Sequence, residues 1–173
     1  MADTGFVLPQ TAASVARSGS GGQWTGPNEA KASDDSYAWI SLAKSYYSDY
    51  LRLMNFDFSS IPDDAILDGI VVKIERKAGI ASNICDSVVR IHNGTNKASA
   101  TKWGTSESSP TYGGSTDKWG TSYDIEDIQD SGFGVDISVQ NDSDAITTAY
   151  IDCVWIKVYY TEAVTFIPQV III

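Results

Sequence analysis

Histidine and cysteine are scarce in this chain of 173 residues, which contains one histidine and two cysteines. Neither Cys85 nor Cys153 has a neighbour at the spacing of a zinc site. The chain also lacks the G-x-S-x-G motif that presents a serine nucleophile, and no carboxylate is evidently paired with His92. We therefore expect no enzymatic activity, no cofactor and no metal.

Basic residues are also few. Twelve lysines and arginines stand against 22 aspartates and glutamates, which gives a net charge of −10 and a pI near 4.3. This charge repels nucleic-acid phosphates and anionic membrane surfaces, so we expect neither as a partner. The first five residues lack the basic and apolar regions of a secretory signal. Because thiols stay reduced in proteins that are not exported, we expect both cysteines to be free and buried.

The residues that are present favour β structure. Hydrophobic residues make up 43% of the chain and aspartate outnumbers glutamate 17 to 5, so turn formers exceed helix formers among the acids. Seven or eight short strands in one domain predict an all-β fold, an antiparallel β-sandwich of the jelly-roll type. Residues 1–23 are small and polar and predict an N-terminal arm, residues 24–161 the sandwich, and residues 162–173 an apolar C-terminal arm.

Alternation of apolar and polar residues predicts the individual strands. The clearest strand is 66–78, in which Ile66, Ile70, Val72 and Ile74 share the buried face. The other predicted strands are 36–42, 50–58, 87–92, 97–103, 132–141 and 149–161. A tight turn is predicted at 93–94 and a short helical turn at 124–128. Strand 149–161 is apolar on both faces, so it is either central or at a subunit contact that includes Trp155.

A repeated motif carries two of the five tryptophans. The segment 102–106, Lys-Trp-Gly-Thr-Ser, recurs at 118–122 and the two copies bracket Tyr112. Exposed rings of Trp103, Tyr112 and Trp119 would stack on the apolar face of a sugar. Aromatic side chains also stabilise loops by packing, and the sequence leaves both interpretations open.

Closely spaced acidic residues are weaker candidates for a functional site. Segment 142–144, Asp-Ser-Asp, could supply calcium ligands, but the spacing of a regular calcium loop is absent. The adjacent acids at 34–35 and 63–64 are typical of turns, because neighbouring residues on a strand point to opposite faces.

Several sequence segments of the chain resemble those of small β-sandwich virion proteins of tailed bacteriophages, either capsid decoration (cement) proteins or tail and neck appendages. The segments are Asn-Phe-Asp-Phe at 55–58, Ala-Ile-Leu-Asp-Gly-Ile-Val-Val-Lys-Ile-Glu-Arg at 65–76, Tyr-Gly-Gly at 112–114, Asp-Lys-Trp-Gly at 117–120, Phe-Gly-Val at 133–135 and the strand 149–161. The resemblance implies a structural protein of the virion, made in the bacterial cytoplasm, that binds and stabilises the lattice of the major capsid protein. It supplies no catalytic residues.

Strand donation from the C-terminal arm is the expected mode of assembly. We expect residues 164–173 to pair with an adjacent copy, in a homotrimer, or with the major capsid protein. The predicted interface residues are Val164, Phe166, Ile167, Val170, Ile171, Ile172 and Ile173 of the arm, together with Trp155. The alternative is a carbohydrate- or receptor-binding module of a tail appendage that uses Trp103, Tyr112 and Trp119.

Overall fold

Nine strands, one short helix and one 3₁₀ turn make up the fold in a computed structural model, which describes residues 1–163. The strands are β1 (Ala2–Asp3), β2 (Pro9–Val15), β3 (Ala38–Leu42), β4 (Tyr50–Phe56), β5 (Ile66–Ala78), β6 (Ile84–Ile91), β7 (Thr111–Gly114), β8 (Gly134–Asn141) and β9 (Thr147–Thr161). The 3₁₀ turn is Pro27–Ala30 and the helix α1 is Ile125–Gln129.

The strands form two antiparallel sheets that pack face to face. In the first sheet the order is β1-β9-β5-β7, and β3 also pairs with β9; in the second it is β2-β4-β8-β6. From β3 to β9, consecutive strands alternate between the two sheets. The predicted all-β antiparallel sandwich is therefore confirmed, whereas the jelly-roll type stays a prediction.

Strand β9 is the central strand of the first sheet and pairs along both of its edges. One of its edges pairs with β5 along nearly the whole length of both strands. The other edge pairs first with β3, then with single residues Lys31 and Val7, and finally with β1. Three separate parts of the chain therefore share one edge of a single strand: β3, Lys31 and residues 2–7.

The core lies between the sheets, as the alternating pattern of β5 predicts. Ile70, Val72 and Ile74 are completely buried. Ile66 is the exception, because 61% of it is exposed while Leu67 is buried. The pairing of β5 with β9 shifts register just after Leu67, and this irregularity turns Ile66 outward.

The N-terminal arm is a prediction that the structure corrects. Within residues 1–23, β1 pairs with β9 in the first sheet and β2 pairs with β4 in the second. The small residues of β2 bury little surface, but an edge strand is held by backbone hydrogen bonds that any residue except proline can make. This segment therefore belongs to the sandwich.

The segment 97–103 is not the regular strand that the sequence predicts. It follows the edge of β6 irregularly, with the N–H of Lys97 donating to Val89 at 2.8 Å and that of Trp103 donating to Ile84 at 2.8 Å. The predicted turn is present, with Asn93 at a φ of 60°. The helical turn is confirmed as α1, which Asp124 caps through a reciprocal pair of hydrogen bonds with Asp127.

Both cysteines are buried and neither forms a disulfide, as the sequence predicts. Burial raises the pKa of both thiols, that of Cys153 to about 12. Neither thiol is therefore a reactive nucleophile near neutral pH.

Candidate functional site

The three aromatic side chains predicted as a sugar-stacking surface lie inside the protein. Trp103, Tyr112 and Trp119 expose 3%, 7% and 0% of their surface. Stacking on a sugar needs an exposed ring face, so the glycan-contact prediction is wrong for these residues. The packing interpretation describes them instead.

A buried carboxylate holds two of these rings. Asp86 on β6 accepts the indole N–H of Trp103 at 3.0 Å, the hydroxyl of Tyr112 at 2.7 Å and the backbone N–H of Ser99 at 3.0 Å. Arg76 on β5 pairs with the same carboxylate, and its guanidinium carbon lies 4.4 Å from the centre of the Trp103 ring. Burial and the charge of Asp86 raise the pKa of Tyr112, so its hydroxyl stays a donor. This cluster joins the two sheets and has a structural role.

The second copy of the repeat lies in the loop after β7, residues 115–124, and anchors this loop to β5. The indole N–H of Trp119 donates to the carbonyl of Ile70 at 2.9 Å. Gly113 has a φ of 82°, and a Cβ there would lie 2.6 Å from Trp119 Nε1, so only glycine fits. Lys97 lies over the Trp119 ring and pairs with Asp117 at 2.6 Å. The repeated tryptophans therefore stabilise the two loops that flank β7.

Trp155 belongs to a partly exposed surface on the first sheet, which we call the aromatic–lysine face: Phe6, Lys73, Trp155, Lys157 and Tyr159. The ammonium of Lys73 lies 3.8 Å from the centre of the Trp155 ring and 4.5 Å from that of Phe6. Lys157 lies between Phe6 and Tyr159, at 4.8 Å and 5.5 Å. Trp155 is half-buried and Phe6 is 39% exposed. A partner can therefore reach these rings from outside.

Three carboxylates meet beside an irregularity in β9. Oxygen atoms of Asp35, Glu107 and Asp152 lie within 4.8 Å of one another. Asp152 is buried and accepts long hydrogen bonds of 3.4 Å from the backbone N–H groups of Asp34 and Asp35. Within residues 1–163 this is the one group whose spacing suits a metal ion, and oxygen ligands of this kind prefer calcium or magnesium.

Tyr37 and Lys77 already donate hydrogen bonds to the exposed carboxylates of this acidic group. Tyr37 donates to Glu107 and lies 3.2 Å from Asp35, while Lys77 donates to the Tyr37 hydroxyl at 2.7 Å. The hydrogen bond from Tyr37 lowers the pKa of Glu107, and that of Tyr37 rises to about 12. Burial raises the pKa of Asp152. The sequence did not predict this group, because its members are distant in the chain.

The outer surface of the second sheet carries a positive surface, which we call the arginine face: Arg17, Arg52 and Arg90, with Tyr50 and Asp136 between them. Asp136 on β8 pairs with Arg52 at 2.7 Å and with Arg90 at 3.3 Å, and it faces both residues in the strand register. The guanidinium carbons of Arg17 and Arg90 lie 5.6 Å and 5.1 Å from the centre of the Tyr50 ring. Two guanidinium groups therefore share one carboxylate, and the third, that of Arg17, lies beside the same Tyr50 ring as Arg90.

Two other predictions have simple outcomes. The calcium candidates at 142–144 are engaged in ion pairs, Asp142 with Lys102 and Asp144 with Lys44. The predicted interface residues Val164, Phe166, Ile167, Val170, Ile171, Ile172 and Ile173 lie outside the described residues.

Comparison of the chain with protein-family models and with curated proteins gives no match. Within the described part of the chain, no helix is long and apolar enough to cross a membrane.

Proposed function

We propose that this protein is a non-enzymatic structural protein of a bacteriophage virion, and that it binds and stabilises the lattice of the major capsid protein as a decoration protein. The observation that carries the proposal is the aromatic–lysine face. Aromatic side chains at the centre of an interface contribute much of its binding energy, and the partly exposed rings of Trp155 and Phe6 lie 3.8 Å and 4.5 Å from the ammonium of Lys73. The resemblance to phage β-sandwich proteins supplies the class of partner.

The surface suits a protein partner better than a small substrate. It lies on the outer side of strands β5 and β9, where a sheet offers a broad area instead of a deep pocket. Lys73 and Lys157 give this area positive charge within a chain of net charge −10. Acidic side chains on the lattice would therefore complement its rim while the rings supply the apolar contact.

The alternative function, a glycan- or receptor-binding module, was expected to use the exposed rings of Trp103, Tyr112 and Trp119. These three side chains are buried. The sequence predicts no other aromatic residues as glycan contacts. The decoration role is therefore the stronger proposal.

The test is co-sedimentation of the purified protein with capsid shells made from the major capsid protein encoded by the same phage. We expect saturable binding that the substitution Trp155→Ala weakens by about tenfold or more, as for a central interface tryptophan. Tyr46→Ala is the matched control, because Tyr46 is 50% exposed and lies outside the aromatic–lysine face. A version ending at Thr161 measures what the C-terminal arm adds. Absence of binding, or equal binding by the Trp155 and Tyr46 variants, would contradict the proposal.

A further inference from the structure

Three of the four arginines of the chain lie on the arginine face, and much of their hydrogen-bonding capacity is unused. Within residues 1–163, Arg17 donates side-chain hydrogen bonds through Nη1 alone, to Ser87 at 2.9 Å and Ser138 at 2.7 Å. Arg90 donates only through Nη2, to Asp136. A guanidinium group has further N–H donors on its other nitrogens.

One of these unused donors is buried. The Nε atom of Arg90 has almost no exposed surface and no hydrogen-bond partner among the described residues. Another molecule cannot reach this atom, so the donors of Arg90 that are open to a partner are its Nη groups. The Arg90 side chain is 34% exposed, and Nη1 has no hydrogen-bond partner among the described residues. Because a guanidinium group pairs best with a carboxylate, the acceptor that suits these exposed donors is a carboxylate oxygen.

The same chain carries carboxylates at one end of the sandwich, which we call the acidic end. Seven exposed acids lie there, in the segment after β4 and around α1: Asp57, Asp63, Asp64, Asp124, Glu126, Asp127 and Asp130. Asp63 and Glu126 line one cleft of about 320 Å³. Neither segment 57–65 nor segment 124–132 contains a lysine or an arginine.

We propose that two copies of this chain associate head to tail, with the acidic end of one copy on the arginine face of the next. Carboxylates of the acidic end accept from the unused N–H donors of Arg17 and Arg90. A net charge of −10 on each copy opposes association in other orientations, so the contact between unlike charges selects this one. A contact between two different surfaces repeats from copy to copy. It gives a ring where the rotation closes and a filament where it does not, and the predicted homotrimer is one such ring.

This inference concerns contacts between copies and does not depend on the proposed binding to capsids. The two proposals use different sheets, because Trp155 lies on the first sheet and the arginines cover the second. A failure of either one therefore leaves the other intact.

The test is the mass of the full chain in solution, measured by light scattering over a range of protein and salt concentrations. We expect a mass above that of the 18.7 kDa monomer, falling towards the monomer as salt screens the contact.

The double substitution Arg17→Gln and Arg90→Gln should weaken association by about tenfold or more. The double substitution Asp64→Lys and Glu126→Lys should do the same from the other side, and it leaves every described side-chain hydrogen bond intact. Lys44→Gln with Lys118→Gln changes the net charge as much as the arginine pair does and should leave the mass unchanged.

A charge exchange makes the test specific. The variant Arg90→Glu and the variant Asp64→Lys with Glu126→Lys should each be monomeric alone, and an equimolar mixture should recover association. Circular dichroism and thermal unfolding of each variant identify any loss of folding, and the acidic-end variants keep the inference testable if an arginine variant does not fold. A monomer at every salt concentration, or a mass that none of the charge variants reduces, overturns the inference.

Discussion

Asp86 is the residue on which the loop from β6 to β7, residues 92–110, depends. Four donors share its carboxylate: Arg76, Trp103, Tyr112 and the backbone of Ser99. A buried ion pair of this kind contributes little net stability compared with apolar packing, but removing one partner leaves the other charge buried without compensation.

The substitution Asp86→Ala tests this role. We expect a loss of about 3–5 kcal/mol in the free energy of unfolding, because the Arg76 guanidinium and two aromatic donors lose their acceptor together. Urea denaturation measures the change. Asp144→Ala is the control, since Asp144 is 87% exposed in its ion pair with Lys44 and should change stability by about 0.5 kcal/mol or less. Equal effects of the two substitutions would show that Asp86 does not organise the loop.

Asp152 and Glu107 should respond to pH in opposite ways. Burial raises the pKa of Asp152, so the folded protein binds this proton more tightly than the unfolded chain does. The stability that the proton contributes is present below the ordinary pKa and is lost as pH rises through the raised value. For Glu107, the hydrogen bond from Tyr37 lowers the pKa, so stability is present above the ordinary pKa and is lost as pH falls.

Thermal unfolding of Asp152→Asn and Glu107→Gln between about pH 2 and pH 7 measures these effects, because the Glu107 change lies below its ordinary pKa and the Asp152 change above its own. We expect Asp152→Asn to gain stability over the natural protein as pH rises, and Glu107→Gln to lose it. The same sign of change in both variants would contradict the opposite pKa shifts of the two carboxyl groups.

At the scale of elements, the N-terminal segment acts as an edge cover. Its residues exchange backbone hydrogen bonds with β9, from Val7 to Ile156 at 2.8 Å and from Thr4 to Val158 at 3.1 Å. Without it, one side of β9 would present unpaired N–H and C=O groups, which recruit strands from other chains.

Deleting residues 1–8 should therefore lower the urea midpoint of unfolding and increase aggregation, which light scattering detects. The double substitution Phe6→Ser with Leu8→Ser is the control, because it removes two exposed apolar side chains and keeps the backbone pairing. If the deletion and the control behave alike, side chains and not backbone pairing account for the effect.

Elements with two distinct faces could be predicted from the sequence, and elements without them could not. Strand β5 has the predicted bounds and β8 starts within two residues of its prediction, because in both sequences apolar residues alternate with polar ones at a period of two. Strand β9 also starts within two residues of its prediction, because a long run of apolar residues marks a strand that is covered on both faces. Strand β2 contains alanine, serine and threonine, whose side chains carry little of this signal. Its place is fixed by backbone pairing with β4, which the amino-acid pattern does not encode strongly.

At the scale of the whole molecule, charge is distributed unevenly over the sandwich. One end holds seven exposed acids, while the outer surface of the second sheet holds three of the four arginines. The sequence gives the total of −10, but the register of β4, β6 and β8 decides that Arg52 and Arg90 flank Asp136. For the same reason, the burial of Trp103 and Trp119 could not be known from their aromatic, glycine-rich surroundings.

The position of β9 in the chain has a consequence for synthesis on the ribosome. Every other described strand precedes it, yet β1, β3 and β5 all pair with it. The apolar face of β5 therefore stays unpaired with β9 while some 70 further residues are synthesised. Residues 2–7, which pair with the end of β9, stay unpaired for longer. Long-range pairing of this kind slows folding, so the first sheet closes only once nearly all of the described chain has been translated.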